Sequence, residues 1–288
     1  MLKEYSMAEL LRQAGGGSIA QAVLKDQAEQ DGVSRERLME DMAKALEVMR
    51  QAAREGLTPG LRSVSGMTGG QAPQYKAWVE KGGGLGGQAL GQAGAIALGV
   101  AELNACMGRI VAAPTAGACG VLPGVLLALE KQKGYTGEQL VMALFTAAGV
   151  GDVIAHRASI AGAEGGCQAE VGAAAAMAAA AAVELAGGQP QQAAAAVSMA
   201  LMNLMGLVCD PVGGLVEVPC VYRNVAGAAV ALTAADMALA GIAPILPADE
   251  VIDAMGRVGR MMPAGLRETG EEGCAACPSG GRFRSPSF

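Results

Sequence analysis

The segment VGAAAAMAAAAAVELAGG, residues 171–188, decides the fold class of this 288-residue chain. Alanine has the highest helix propensity, so residues 173–182 predict a helix. Small side chains also let neighbouring helices approach closely. Only 3% of the chain is aromatic, whereas 52% of it is hydrophobic. We therefore expect a core of closely packed helices built mainly from Ala, Leu, Val and Met.

The sequence before this segment also favours helices over strands. Ser6, Ser18 and Ser34 are placed to cap three short amphipathic helices, and Gly56 is placed to end the third. Val, Ile, Tyr and Thr seldom alternate with polar residues, so the strand pattern is weak. The sequence predicts an all-α fold, a single globular bundle spanning residues 1–288.

Three regions of this domain differ in character. Residues 1–60 hold the N-terminal helices, and residues 61–260 combine Ala-rich helices with loops rich in Gly, Pro and Cys. Residues 261–288 form a tail with little periodicity, which we expect to be irregular or mobile. The middle region is where we expect the functional site.

Charge and hydropathy argue against several classes of function. The net charge is −6 and no Lys/Arg cluster stands out, so we expect no nucleic-acid binding. The N-terminus lacks the apolar segment of a secretory signal, which indicates a cytoplasmic protein. Residues 193–208 are short for a membrane span of about 20 residues, and residues 225–246 contain Asp236. Buried helices explain both stretches better than the alternative, a membrane transporter whose helices are rich in small residues.

Seven cysteines in such a chain point to thiolate chemistry or buried thiols rather than disulfides. Cys167, Cys209 and Cys220 each lie in a loop with Gly or Pro beside an apolar helix. Thiolates are ligands of zinc and of iron–sulfur clusters, and three of them leave one metal position open for catalysis. Spacing alone leaves open the alternative of three unrelated buried thiols.

Four long motifs occur in one order: SGMTGG, NACMGRIVAAPTAGACGVLPG, GAEGGCQAEVG and LMNLMGLVCDPVGGLVEVPCVYRN. Together they resemble the α chain of bacterial iron–sulfur L-serine dehydratase. The resemblance implies a [4Fe–4S] cluster on Cys167, Cys209 and Cys220, with no pyridoxal phosphate. It implies conversion of L-serine to pyruvate and ammonia, with an open iron acting as Lewis acid on the serine hydroxyl. It also implies a separate β subunit and a role in amino-acid degradation and gluconeogenesis.

The same resemblance indicates which other residues serve the site. Backbone N–H groups in the SGMTGG loop are suited to bind a carboxylate, which Lys76 is placed to neutralise. An ordinary glycine turn and a solvated lysine are the alternatives. The residues expected to bind substrate in this loop and in the following motif are Ser65, Thr68, Gly69, Gly70, Asn104, Arg109 and Thr115.

Acid–base chemistry needs a group that exchanges protons, and His156 is the only histidine. We expect it to act as catalytic base, with a satisfied core residue or a base from the β subunit as the alternatives. Glu164 and Glu170 flank Cys167. Either is expected to contact the substrate ammonium. The alternative is that both only cap and neutralise the N-terminus of the following helix.

The tail motif RETGEEGCAACPSG holds a Cys-x-x-Cys pair, Cys274 and Cys277. In the family that the motifs resemble, a C-terminal cysteine can bind the open iron when substrate is absent. Cys274 and Cys277 are therefore both candidate resting-state ligands. Cysteines stand here where the family has a GGLA-like stretch, which leaves that role open. Two other functions also stay open: a non-catalytic iron–sulfur sensor, and a related cluster lyase acting on threonine or cysteine.

Overall fold

The structure, a computed structural model, describes residues 5–283. Those residues form twelve α-helices and no β-sheet, which confirms the predicted all-α class. The helices are α1 Met7–Ala14, α2 Ile19–Asp31, α3 Arg35–Gly56, α4 Gln71–Glu80, α5 Gly87–Ala105, α6 Val121–Lys133, α7 Gly137–Arg157, α8 Gly162–Gly165, α9 Ala173–Leu185, α10 Pro190–Leu204, α11 Cys220–Leu239 and α12 Ala248–Met261.

The Ala-rich segment forms α9, the centre of the bundle. This helix packs against α6, α7, α10 and α11, and residues 173–181 are buried. Because its side chains are mostly methyl groups, four helices can pack closely around it. The core that surrounds it extends from Met7 in α1 to Met255 in α12, so the N-terminal helices share it.

The N-terminal helices begin where the sequence predicts. The hydroxyls of Ser6, Ser18 and Ser34 each accept a hydrogen bond from the amide three residues later, at 3.1–3.2 Å. The third helix ends at Gly56, as predicted, but for a different reason. A Cβ there would overlap the backbone of Gly99 in α5, so glycine permits close packing of two helices rather than a special turn.

The described part of the tail, residues 262–283, is irregular, as predicted, but it packs on the bundle; residues 284–288 of the predicted tail lie outside the described residues. The amide of Cys209 donates to Leu266 at 2.8 Å, and the amide of Glu268 donates to Cys209 at 2.8 Å. Three short 3-10 turns follow, at Ala264–Leu266, Gly273–Ala276 and Pro278–Phe283. The tail thus lies against the loop that carries one of the three candidate ligands.

Within residues 5–283, only α7 is long and apolar enough to cross a membrane. Two-thirds of its apolar window is buried in the protein, where it packs on α2 and α9. The two stretches weighed from the sequence fall largely in α10 and α11, which also pack on α9. All three helices are therefore accounted for as core helices of the bundle.

Candidate functional site

Three chain segments bring Cys167, Cys209 and Cys220 to one end of the central helix. Cys167 precedes the π-helical turn Gln168–Gly172 that leads into α9, Cys209 follows α10, and Cys220 is the first residue of α11. Their exposed fractions are 2%, 3% and 8%. All three are free thiols. These three segments, distant in sequence, come together because α9, α10 and α11 pack against one another.

Burial raises the pKa of all three thiols. It lifts the pKa of Cys167 to about 11 and that of Cys220 to about 12, and the pKa of Cys209 rises further still. The three groups also act on one another, since the charge of Cys167 adds to the rise at both Cys209 and Cys220. Neighbouring buried thiols that resist ionisation are stabilised as thiolates by a bound cationic centre.

Arg223 supplies positive charge beside these thiols. Its Nη2 lies 2.7 Å from Asp210 Oδ1, and its Nη1 donates to the carbonyl of Val208 at 2.7 Å. Its positive charge also opposes the rise in the pKa of Cys167. Burial opposes its charge, but Cys167 and Asp210 outweigh that and raise the pKa of Arg223. Sequence reasoning missed both charged residues, although each adjoins a candidate ligand or lies three residues from one.

Of the two glutamates that flank Cys167, Glu170 faces the cysteines. It accepts a hydrogen bond from Thr115 Oγ1 at 2.6 Å and a weak one from Cys209 Sγ at 3.9 Å, and burial raises its pKa. Glu164 is exposed and accepts from Ser159 instead. A Cβ on Gly162 would meet both the Glu170 carboxylate and the Cys209 sulfur, so small residues line this corner.

Asn224 bonds the loop of residues 114–117, sequence PTAG, to Cys220 at the start of α11. This fully buried side chain donates to the carbonyls of Gly117 and Cys220 at 2.8 and 2.9 Å and accepts from the amide of Gly120 at 2.8 Å. Three satisfied hydrogen bonds hold the loop with Thr115 close to Cys220. Asn224 belongs to the motif VYRN, but its role depends on Gly117 and Gly120, which lie more than 100 residues away in sequence.

The SGMTGG loop has a carboxylate partner within the chain. Oε1 of Glu102, which is fully buried, accepts from Thr68 Oγ1 at 3.0 Å and from the amide of Gly69 at 2.9 Å. The amides of Gln71 and Ala72, at the start of α4, donate to the same carboxylate at 3.0–3.1 Å. Within the loop, Glu102 therefore occupies the Thr68 hydroxyl and the Gly69 amide, two of the donors that the sequence suggested for a substrate. Gly70 supplies the left-handed turn before α4.

Ser65 and Asn104 line a cavity of about 740 Å³ beside this loop. Ser65 Oγ donates to the buried carboxylate of Glu217 at 2.7 Å, and Asn104 Nδ2 donates to the carbonyl of Ala116 at 3.2 Å. Ala116 follows Thr115, the partner of Glu170, and Glu217 lies three residues before Cys220. The segments that line the cavity thus also carry Thr115 and Cys220, and the volume of the cavity suits a small-molecule site.

Three other predicted site residues lie at the surface. Lys76 pairs with Glu80 on the exposed side of α4, and Arg109 is exposed in the loop after α5. His156 stacks on the ring of Tyr5, with centroids 3.5 Å apart, and its Nδ1 lies 2.9 Å from the carbonyl of Asp152. The structure thus gives each a setting apart from the three cysteines.

The remaining cysteines differ in their relation to the site. The amide of Cys274 donates to Asp210 Oδ2 at 2.6 Å, which places it next to the Arg223 ion pair. Cys277 is exposed on the same turn. Cys119 is buried against α5, where its Sγ lies 3.9 Å from the carbonyl of Val100, and Cys106 is half-buried.

The chemistry of the donor set is compatible with an iron–sulfur cluster. In residues 5–283, no group of three His, Cys, Asp or Glu side chains converges as a single metal ion requires. In a cluster each thiolate binds a different iron, so its ligands surround a larger body instead of one point. Three free buried thiols, a nearby guanidinium and glycine-lined walls are compatible with such a body.

The serine dehydratase alpha chain family model matches residues 14–275. A probable L-serine dehydratase alpha chain of Bacillus subtilis is 48% identical over 270 residues, covering 94% of this chain and 90% of the relative. An L-serine dehydratase alpha chain of Peptoniphilus asaccharolyticus is 40% identical over 93% of this chain and 92% of its own length. An L-serine dehydratase of Haemophilus influenzae is 45% identical over 181 residues, which is 62% of this chain but 40% of that relative. The chain belongs to the serine dehydratase alpha chain family.

Proposed function

We propose that this chain is the alpha chain of an L-serine dehydratase that releases pyruvate and ammonia with the help of a [4Fe–4S] cluster on Cys167, Cys209 and Cys220. The observation that carries the proposal is the convergence of three free, buried thiols from three separate chain segments beside the half-buried carboxylate of Glu170. The names of the relatives support the substrate.

When bound, the cluster supplies a Lewis acid that polarises the bond to the leaving hydroxyl. The residues of the chain would provide the surroundings for that chemistry. Arg223 offsets negative charge at Cys167, and Thr115 holds the Glu170 carboxylate at the cysteines by its 2.6 Å hydrogen bond. Because burial raises the pKa of Glu170, this carboxyl is suited to hold a proton within the site.

The enzyme would work with a partner chain. Two relatives that align over 90% and 92% of their length are called alpha chains, whereas the Haemophilus influenzae relative is much longer than the aligned part. We propose that a separate beta subunit provides what the longer relative carries in one chain. A catalytic base from that subunit would account for the surface setting of His156.

The tail would supply a resting-state ligand through Cys274 rather than Cys277. The backbone of Cys274 is bonded to Asp210, whose carboxylate pairs with Arg223 beside Cys167. Cys277 lies on the exposed side of the same turn.

The test compares Cys209→Ser with Cys119→Ser after anaerobic co-expression with the beta subunit. Cys119 is a matched control because it is also buried, and burial raises its pKa to about 12, but it faces α5. We expect the wild type and the control to hold iron and sulfide and to form pyruvate from L-serine, and the Cys209 variant to lose both. Equal iron content in all three proteins, or a colourless active enzyme, would refute the cluster assignment.

A further inference from the structure

The cavity of about 740 Å³ contains a buried carboxylate that the cluster chemistry does not use. Glu217 is 5% exposed, yet it lines the cavity together with Ser65 and Asn104. The partner that the structure gives it is the neutral hydroxyl of Ser65, which donates to Oε2 at 2.7 Å. A buried carboxylate is costly without a positive partner, so a cationic group of a ligand would stabilise it strongly.

The same cavity has a guanidinium on another wall. Arg282, in the turn Pro278–Phe283 of the tail, lines it, and its Cζ lies 4.8 Å from the centre of the Phe283 ring. Guanidinium groups bind carboxylates through two parallel hydrogen bonds. The cavity thus presents one carboxylate and one guanidinium, the two charges complementary to those of a zwitterionic α-amino acid.

The donors expected for the substrate carboxylate do not compete with this arrangement. Within the SGMTGG loop, the hydroxyl of Thr68 and the amide of Gly69 are bonded to Glu102, while Ser65 lines the cavity. Recognition of a small zwitterion would then fall to charged side chains.

We infer that Glu217 binds the ammonium group of the substrate and that Arg282 binds its carboxylate. Glu217 is then the residue that selects amino acids over hydroxy acids of the same shape. An analogue that lacks the ammonium leaves the buried carboxylate unpaired, and sites of this kind reject such analogues strongly. The inference rests on the proposed function and names how its substrate class is recognised.

The test uses the cluster-loaded enzyme with its partner chain and the variants Glu217→Gln, Glu217→Asp and Arg282→Gln. Glutamine retains an oxygen for the Ser65 hydrogen bond but removes the charge, so a purely structural role predicts unchanged kinetics. The exposed Glu55→Gln change on α3 is the matched control. Iron content and melting temperature are measured for every variant to verify an intact site.

We expect the KM for L-serine to rise roughly 10- to 100-fold in Glu217→Gln, the loss typical of one charge-assisted hydrogen bond, with kcat changed far less. Glu217→Asp should recover part of this loss. Inhibition by 3-hydroxypropanoate, which is L-serine without the amino group, should stay the same or tighten in Glu217→Gln. In Arg282→Gln both L-serine and 3-hydroxypropanoate should bind about tenfold more weakly.

A KM for L-serine in Glu217→Gln within twofold of wild type would overturn the inference while leaving the dehydratase proposal standing. If the wild type does not turn over L-serine, the proposed function fails, and calorimetry with a set of α-amino acids decides the inference separately. Amino-acid binding that Glu217→Gln abolishes supports it. Equal binding by both proteins, or no binding by the wild type, overturns it.

Discussion

Replacing Glu102 with glutamine tests whether an internal carboxylate fixes the SGMTGG loop. The carboxylate of Glu102 receives one hydroxyl and three backbone amides, from Thr68, Gly69, Gln71 and Ala72. Glutamine keeps one oxygen for Thr68 and Gly69 but turns an amide donor toward Ala72, whose own N–H then lacks an acceptor. The change therefore removes the charge and leaves two buried donors facing each other.

The expected cost combines one lost charge-assisted hydrogen bond with an unpaired buried amide, about 3–5 kcal/mol in total. At about 2–4 °C per kcal/mol for chains of 150–250 residues, and at the lower end for this longer chain, the melting temperature should fall by about 6–10 °C. Circular dichroism during heating measures this. The exposed Glu55→Gln change should shift melting by no more than about 1 °C. If Glu102→Gln melts within 2 °C of wild type, Glu102 does not hold this loop.

Two further substitutions test the packing and the acid–base assignment. Gly56→Ala should destabilise the bundle by about 2–4 kcal/mol, because a Cβ there overlaps the backbone of Gly99. Thermal unfolding measures this. The control is Gly16→Ala, which should cost little stability because a Cβ at Gly16 has no atom within 4 Å. His156→Asn should keep kcat within about threefold, since the ring stacks on Tyr5 in an exposed position. A loss of kcat beyond about a hundredfold would restore His156 as a catalytic base.

Local features of the fold could be predicted from the sequence because they depend on neighbouring residues. Serine caps bond to amides three positions along the chain, so Ser6 and Ser34 mark helix starts without any knowledge of the tertiary structure. The packing role of Gly56 could not be predicted in this way. It depends on the backbone of Gly99, 43 residues further along the chain, and no helix-capping rule contains that contact.

The choice between Glu164 and Glu170 shows a second limit. Six residues apart, the two side chains lie roughly 120° apart around a regular helix, so one of them at most faces the cysteines. Which one does depends on the π-helical turn Gln168–Gly172 and on Thr115, which is 55 residues away in sequence. Cys167, in contrast, could be predicted as a ligand from the sequence. Its motif and the motif that holds Cys209 and Cys220 occur in the same order as in the family that they resemble.

Helix N-termini in this chain are repeatedly satisfied by its own distant carboxylates. Asp249 accepts from the first amides of α1, Glu184 from those of α2, and Glu102 from those of α4. Each contact spans at least 30 residues of sequence and locks a helix start to another element. A glycine-rich loop before a helix is therefore weak evidence of a substrate site when the chain has 27 acidic residues to fill it. Because those backbone donors are already used, charged side chains such as Glu217 and Arg282 remain to recognise a zwitterion in the cavity.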